Sequence, residues 1–481
     1  MPRADPATLR RAAYLAALVL LLASALFFPR TGAAGLALAV LMALAGGLAW
    51  SPWGKERAAR LRALAVSLPA WTPDALVVVV VVNASIFVYA DTWFQTGLRM
   101  YDWGPHHANL KNLIDGLARG GVPRWVQGVS TGDSPYELYP LLPYWLMARA
   151  ALLFGTTDLT LVLVRTAVLT HTLAALGGGL LARRTVGAAW GVVVGLVMLL
   201  DHGSVWGGGA EGIFKLGVLH SALANAVFPF VLVAVVAALR RPTLVTSAAI
   251  WSSVALAVAC HPLALTSALA TCGALVLVAC FARDVPAARA LACAAHVALG
   301  VALVAAIFMP LNARLLSYGV HFGIGAAKPW EQFGTLLAAP IPQATFGPFV
   351  AAGYLGIVAA LISRRGALVL LAGMAALLLF FLLDQPYLLF DAAPSPQAAR
   401  FQTVRLASAS KAAVYVLGSY ALSLVVQRAR AARPARGGLV LAAALTFGLA
   451  FVVRGGLPFL DRQVSVLRVL AHTDVPDEDG L

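Results

Sequence analysis

Apolar runs of about 15 to 25 residues, most of them long enough to cross a hydrocarbon core of about 30 Å, recur along nearly the whole chain. They fall near 12–28, 33–50, 72–90, 159–182, 186–200, 217–239, 244–260, 262–282, 288–309, 347–363, 366–384, 409–427 and 437–453. The pattern predicts an all-α polytopic membrane protein with about thirteen transmembrane helices. One further stretch, 138–154, fits two descriptions: another span, or a helix lying along the surface. Pro135, Pro140 and Pro143 interrupt its start, which favours the surface.

Loop charge separates the two descriptions. Arg3, Arg10 and Arg11 precede the first run, which reads as an uncleaved signal anchor and puts the N-terminus in the cytoplasm. Lys55, Arg57, Arg60 and Arg62 then lie inside as well. If 138–154 crosses, the pairs Arg183-Arg184, Arg240-Arg241 and Arg364-Arg365 and the basic cluster of 428–436 all fall outside. If it stays on the outer side, all of them fall inside. Short cytoplasmic loops carry the excess of Lys and Arg, so the second arrangement is expected, with the C-terminus outside. The chain divides accordingly into a two-helix segment (1–71), a membrane core (72–309) with a first outer loop at 91–158, further membrane helices (310–453) and a polar tail (454–481).

Composition changes little of this. Hydrophobic residues make up 61% and charged residues 11%, which excludes an ordinary soluble domain. The net charge of +15 sits in the short loops, so it encodes topology and implies no nucleic-acid partner. Cys260, Cys272, Cys280 and Cys293 lie in or beside apolar runs and read as packing residues. No nucleotide-binding signature is present.

The candidate chemistry lies in the outer loops. A helix is predicted over 105–119, with Pro105 in its first turn and Gly120-Gly121 at its end. Leu110, Leu113, Ile114 and Leu117 form an apolar stripe, with Asn109, Asn112, Asp115 and Arg119 on the other side. Asp102 and His106 are four residues apart and share a face if the backbone is helical there. A carboxylate beside an imidazole can take a proton, hold a hydroxyl or bind a divalent cation. The plainer alternatives are a helix-start Asp and interfacial polar residues at His106 and His107.

Several motifs of this loop resemble one known pattern. They are Asp102-x-x-x-His106, then Gly120-Gly121-Val122-Pro123-Arg124-Trp125, then Tyr139-Pro140-Leu141-Leu142-Pro143-Tyr144, then Phe154-Gly155. They are similar to the first outer loop of GT-C membrane glycosyltransferases. Closer still are bacterial membrane proteins labelled pyruvoyl-tetrahydropterin synthase related. Gly208-Gly209-Ala210-Glu211, Ala226-Val227-Phe228-Pro229 and His261 extend the likeness. Two departures stand out: the loop follows the third span instead of the first, and leucine replaces the second proline of the Tyr-Pro-Pro-Leu motif.

The resemblance implies sugar transfer from a polyprenyl-phosphate donor to an acceptor on the non-cytoplasmic face of a bacterial inner membrane. Asp102 is then the expected catalytic carboxylate, Asp91 its rival at a helix exit, and His106 a catalytic partner. His107, Trp125 and Tyr139 join the expected substrate contacts, and a divalent cation is a candidate cofactor. Arg124 is either a phosphate ligand or an interfacial anchor. The same choice applies to Arg400, Arg405 and Lys411, whose outer position runs against the charge trend. Glu211, after a glycine run, and His261, at a turn between helices, are the remaining binding candidates. A transporter or flippase of lipid-linked sugars is the main alternative. It calls for ionisable residues within spans, where Arg165 and the uncharged Asn225 are the polar residues noted. A non-catalytic assembly subunit is the other.

Overall fold

The computed structural model describes residues 71–94, 103–123, 140–201, 203, 209–317, 347–382 and 406–431. Among them there is no strand. In chain order the helices are α1 (Thr72–Tyr89), α2 (Trp103–Ala118), α3 (Leu141–Phe154), α4 (Leu159–Thr185), α5 (Ala188–Leu199) and α6 (Leu219–Arg240). They continue as α7 (Leu244–Cys260), α8 (Ala264–Phe281), α9 (Ala287–Ser317), α10 (Gly347–Ser363), α11 (Gly366–Leu382) and α12 (Leu406–Ala431). A 3₁₀ turn (Thr92–Phe94) follows α1, and a π-helical turn (Glu211–Leu216) precedes α6.

Nine of these helices coincide with expected spans to within a few residues, and α9 runs eight residues past its expected end; α7 and α10 have the expected bounds. Among the described residues, α1, α4, α6, α8, Ala287–Ala306 of α9 and Ser408–Arg428 of α12 are long and apolar enough to cross a membrane. The helices α3, α5 and α7 and the segments Ala352–Ser363 and Gly366–Leu379 are apolar but shorter. The expected spans at 12–28, 33–50 and 437–453 lie outside the described residues. The chain forms two compact units, Met1–Thr72 with Leu422–Val466, and Pro73–Ala421 with Leu467–Leu481. Everything below concerns the second.

One end of that unit gathers the basic loops. Asp74, at the start of α1, meets Arg183 at 2.8 Å and also Arg184, both at the end of α4. Arg240, ending α6, donates to the Arg184 carbonyl. Arg289, in the first turn of α9, donates to the Leu239 carbonyl at 3.1 Å. Asp284 accepts from the Gly366 amide at 2.7 Å, tying the start of α11 to the same end. Arginines that sit on carbonyls at helix C-termini complement the dipole there. Between the ends, α4 and α5 come into backbone contact. A Cβ on Gly179 would lie 2.9 Å from the Gly191 carbonyl oxygen, so only small residues allow the approach.

Helix α3 covers 141–154 of the stretch 138–154. It begins directly after Pro140, with Pro143 in its first turn, and ends on Gly155 in the left-handed conformation at φ 61°. Its 14 residues span ~21 Å, short of the hydrocarbon thickness. Four residues later α4 starts, capped by Asp158, whose carboxylate accepts from the Leu161 amide at 2.9 Å. That start is the end of α4 away from the basic loops; Arg165, in its second turn, donates to the Trp93 carbonyl just beyond α1. The other end of α3 is bonded through Tyr144 to α2. Both ends of α3 are therefore tied to the end of the bundle opposite the basic loops. One face (Pro143, Tyr144, Met147, Ala148, Ala151) is buried. The other exposes Leu153 and Phe154 to about four-fifths and carries the Arg149 guanidinium over the Trp145 ring. An exposed apolar face with a basic and an aromatic residue suits a membrane interface.

Candidate functional site

Helix α2 is turned differently from the expectation. Its buried positions are Trp103, His106, Asn109, Leu110, Leu113 and Gly116, whereas Ile114 and Leu117 are half-exposed. The buried face thus includes two polar residues expected to face away or sit at the interface. The helix ends as expected: Gly120 takes φ 97° and the Gly121 amide donates to the Gly116 carbonyl at 3.0 Å. Gly116 is required by the return of the chain, because a Cβ there would lie 2.3 Å from Cδ of Pro123.

His106 is the centre of the first polar cluster. Its Nε2 lies 2.8 Å from the Gly217 carbonyl oxygen and its Nδ1 lies 2.6 Å from the Tyr144 hydroxyl. A carbonyl only accepts, so Nε2 carries the hydrogen. In the neutral ring Nδ1 then accepts, and the Tyr144 O–H donates to it. The Tyr144 oxygen in turn accepts from the Asn109 amide at 3.2 Å. These roles are consistent with an uncharged imidazole. His220, in the first turn of α6, stacks on His106 with ring centroids 5.0 Å apart and meets Tyr144 edge-on at 4.4 Å. His261 caps the end of α7, its Nδ1 accepting from the Leu263 amide at 3.1 Å.

The π-helical turn completes this cluster. Trp103 donates through Nε1 to the Phe214 carbonyl at 2.9 Å, and His106 holds the Gly217 carbonyl. The first turn of α2 thus grips the π turn near its end. A π turn is rare and costly, and often marks a functional position. Glu211 begins it, half-buried, and pairs with Lys215 at 3.2 Å.

A second cluster lies at the end of α5. Its 12 residues rise only ~18 Å, and Asp201 lies two residues beyond its end. Asp201 forms an ion pair with Lys411 of α12 in which the two side chains are only 3% and 5% exposed. The Gly203 amide donates to the Asp201 carboxylate at 3.0 Å, and the Ala210 amide to its carbonyl at 3.2 Å. His171 of α4 bonds the Leu199 carbonyl at 2.9 Å, satisfying one of the last acceptors of α5.

The expected site residues therefore divide. His106, Glu211 and His261 gather around the start of α6. His107 is half-buried on α2, and Asp91 is exposed where α1 ends, its carbonyl accepting from the Phe94 amide at 3.3 Å. Lys411 belongs to the other cluster, its charge matched by Asp201. Asp102, Arg124, Trp125, Tyr139, Arg400 and Arg405 lie outside the described residues. Sequence reasoning passed over Tyr144, His171, Asp201 and His220, and placed Asn109 on the wrong face. With His171, His220 and Lys411 buried in or at helices, the spans hold ionisable groups beyond Arg165. Among the described residues no group of three or more His, Cys, Asp or Glu is placed to hold a metal ion. They assemble no site for the expected divalent cation.

No family model and no curated protein matches the chain, so the finer resemblance to the pyruvoyl-tetrahydropterin synthase related proteins has no support from a match. Solved structures do match. The archaeal oligosaccharyltransferase AglB from Archaeoglobus fulgidus, in complex with an inhibitory peptide and a dolichol-phosphate, aligns with a TM-score of 0.54 at 14% identity over 85% of this chain. The Archaeoglobus fulgidus oligosaccharyltransferase in complex with Zn and sulfate gives 0.51 at 15% over 84%. ArnT from Cupriavidus metallidurans, bound to undecaprenyl phosphate, gives 0.51 at 13% over 82% of this chain and 75% of its own. The chain spans 57% of the length of AglB in the first of these. The fold is that of the GT-C membrane glycosyltransferases, carried by an integral membrane protein.

Proposed function

We propose that this protein transfers a sugar from a polyprenyl-phosphate donor to an acceptor on the non-cytoplasmic side of the membrane. The observation that carries the reading is the position of α3. With both its ends opposite the basic loops, Asp91, α2, the π turn and the start of α6 share one end of the bundle, and the positive-inside rule makes that end the outer one. The fold adds support, since AglB and ArnT were solved with dolichol-phosphate and undecaprenyl phosphate respectively.

In the proposed reaction an acceptor O–H attacks the anomeric carbon. The C–O bond to phosphate breaks, polyprenyl phosphate leaves with the electron pair, and a carboxylate takes the acceptor's proton. Asp102 is the proposed carboxylate and Asp91 the alternative. Arg124, Arg400 and Arg405 are proposed for the donor phosphate, by bidentate match to its oxygens. Lys411 is a weaker phosphate ligand than the sequence suggested, because Asp201 already neutralises it. Trp125 and Tyr139 are proposed to face the sugar. No step is routed through a metal ion.

The test uses protein in nanodiscs with undecaprenyl-phosphate-linked glucose, mannose and N-acetylglucosamine carrying label in the sugar, plus a membrane extract as acceptor source. Label leaving the lipid fraction, with loss of at least about 100-fold in Asp102→Asn, supports the reading. Donor untouched by the wild type contradicts it. One observation favours a second reading, a flippase: the Asp201–Lys411 pair is buried, with Lys411 on the segment Ser408–Arg428 that is long and apolar enough to cross a membrane. A flippase would move label across the bilayer with the sugar–phosphate bond intact, which the same assay distinguishes.

A further inference from the structure

We infer that His106 and Tyr144 form a positioning pair for the proposed transfer, a neutral imidazole protonated at Nε2 that fixes the rotation of α2 against α3 and the π turn. The geometry stands on its own; the reaction it serves rests on the reading above.

Three elements distant in sequence meet at this one ring. Nδ1 takes the hydrogen of the Tyr144 hydroxyl at 2.6 Å from α3, and Nε2 gives its hydrogen to the Gly217 carbonyl at 2.8 Å, just past the π turn. That carbonyl also accepts from the Leu219 amide at 2.6 Å, so the ring is tied to the first residue of α6 as well. Asn109, one turn along α2, reaches the same Tyr144 oxygen at 3.2 Å, and Trp103, one turn before, holds the Phe214 carbonyl at 2.9 Å. The three residues that make these bonds, Trp103, His106 and Asn109, lie along the single buried face of α2.

Apolar side chains would bury this face at lower cost, since a polar group taken from water must recover its hydrogen bonds. What the polar arrangement adds is direction. Leucines tolerate a slide or a few degrees of rotation; an N–H aimed at one carbonyl and a lone pair aimed at one hydroxyl do not. The rotation of α2 decides where its outward residues stand relative to Glu211, the first residue of the turn it grips. Both ring nitrogens are committed to protein groups. His106 therefore acts through its neighbours instead of touching substrate, and Tyr144, which nothing in the motif reading assigned a role, is its partner.

Three variants test this: Tyr144→Phe, His106→Leu and His106→Gln, the last keeping an amide N–H where Nε2 stands. Their turnover is measured with whichever undecaprenyl-phosphate hexose the wild type consumes fastest, and their affinity for undecaprenyl phosphate by native mass spectrometry. The ¹⁵N-histidine NMR spectrum of the wild type is recorded with His106→Gln as the assignment control. The inference predicts a neutral, Nε2-protonated ring at His106. It predicts turnover reduced about tenfold or more in Tyr144→Phe and His106→Leu, from misplacement alone. It also predicts donor KM and lipid affinity within about twofold of wild type, with most of the turnover regained in His106→Gln. An imidazolium or an Nδ1-protonated ring at His106, wild-type turnover in the first two variants, or equal losses in His106→Gln and His106→Leu would overturn it. Should Tyr144→Phe fail to fold, the two His106 variants carry the comparison. A wild type that consumes no donor sinks the transfer reading; active wild type with indifferent variants sinks this inference alone.

Discussion

The two ends of the helical bundle handle charge in opposite ways. At the basic end, Asp74 meets two arginines whose side chains are 19% and 39% exposed, and the other arginines lean on helix-terminal carbonyls. At the far end, Asp201 and Lys411 are sunk almost completely, and His106, Asn109 and His220 lie in the interior. Exposed pairs contribute little to stability and serve orientation. Buried polar groups are costly unless every bond is made, and when made they fix one arrangement of the helices. The basic end reports which way the protein sits; the far end is built to hold elements at set angles, as a site needs.

Breaking the buried pair gives the largest expected effect. Lys411→Ala leaves Asp201 buried without its cation and costs about 3–5 kcal/mol, read as a fall in thermal midpoint of the detergent-solubilised protein. Pairing Lys411→Met with Asp201→Asn recovers most of that loss, because neither buried charge remains. If the double variant is no better than the single, the pair is not what holds α12 there. His106→Leu comes next, at about 1–3 kcal/mol, since it leaves Tyr144 and the Gly217 carbonyl short of a bond in the interior. Gly116→Ala forces apart the end of α2 and Pro123 and costs a similar amount, about 1–3 kcal/mol, measured the same way. Asp74→Asn, at the basic end, is expected to cost about 1 kcal/mol or less. A loss at Asp74 as large as that at Lys411 would erase the contrast between the two ends.

Much of the membrane fold is legible in the sequence because hydropathy and helix length are the same information in a bilayer. The run 244–260 is α7 to the residue, and within the stretch 138–154, which proline and loop charge led us to expect on the surface, lies the short helix α3. The site was less legible, for a physical reason. Reading polar residues as outward fails where a bundle interior supplies bonds from afar. Asn109 and His106 face inward because Tyr144 waits 35 and 38 residues on, and Asp201 is matched by a lysine 210 residues away. No local pattern marks such partners. The π turn was likewise hidden in a glycine-rich stretch that reads as a loop. Pro105 and the apolar stripe did lead to α2, where His106 lies on the buried face.

The most direct test of the account is the sidedness of α3. In a background with Cys260, Cys272, Cys280 and Cys293 replaced by alanine, single cysteines at Glu137, Thr156 and, as cytoplasmic reference, Arg184 are probed in intact cells with a membrane-impermeant maleimide. Glu137→Cys and Thr156→Cys are expected to label from outside while Arg184→Cys stays unlabelled until the membrane is opened. Labelling of Glu137→Cys and Thr156→Cys from opposite sides would contradict the account, because α3 would then cross the bilayer and the polar clusters would no longer share an outer end.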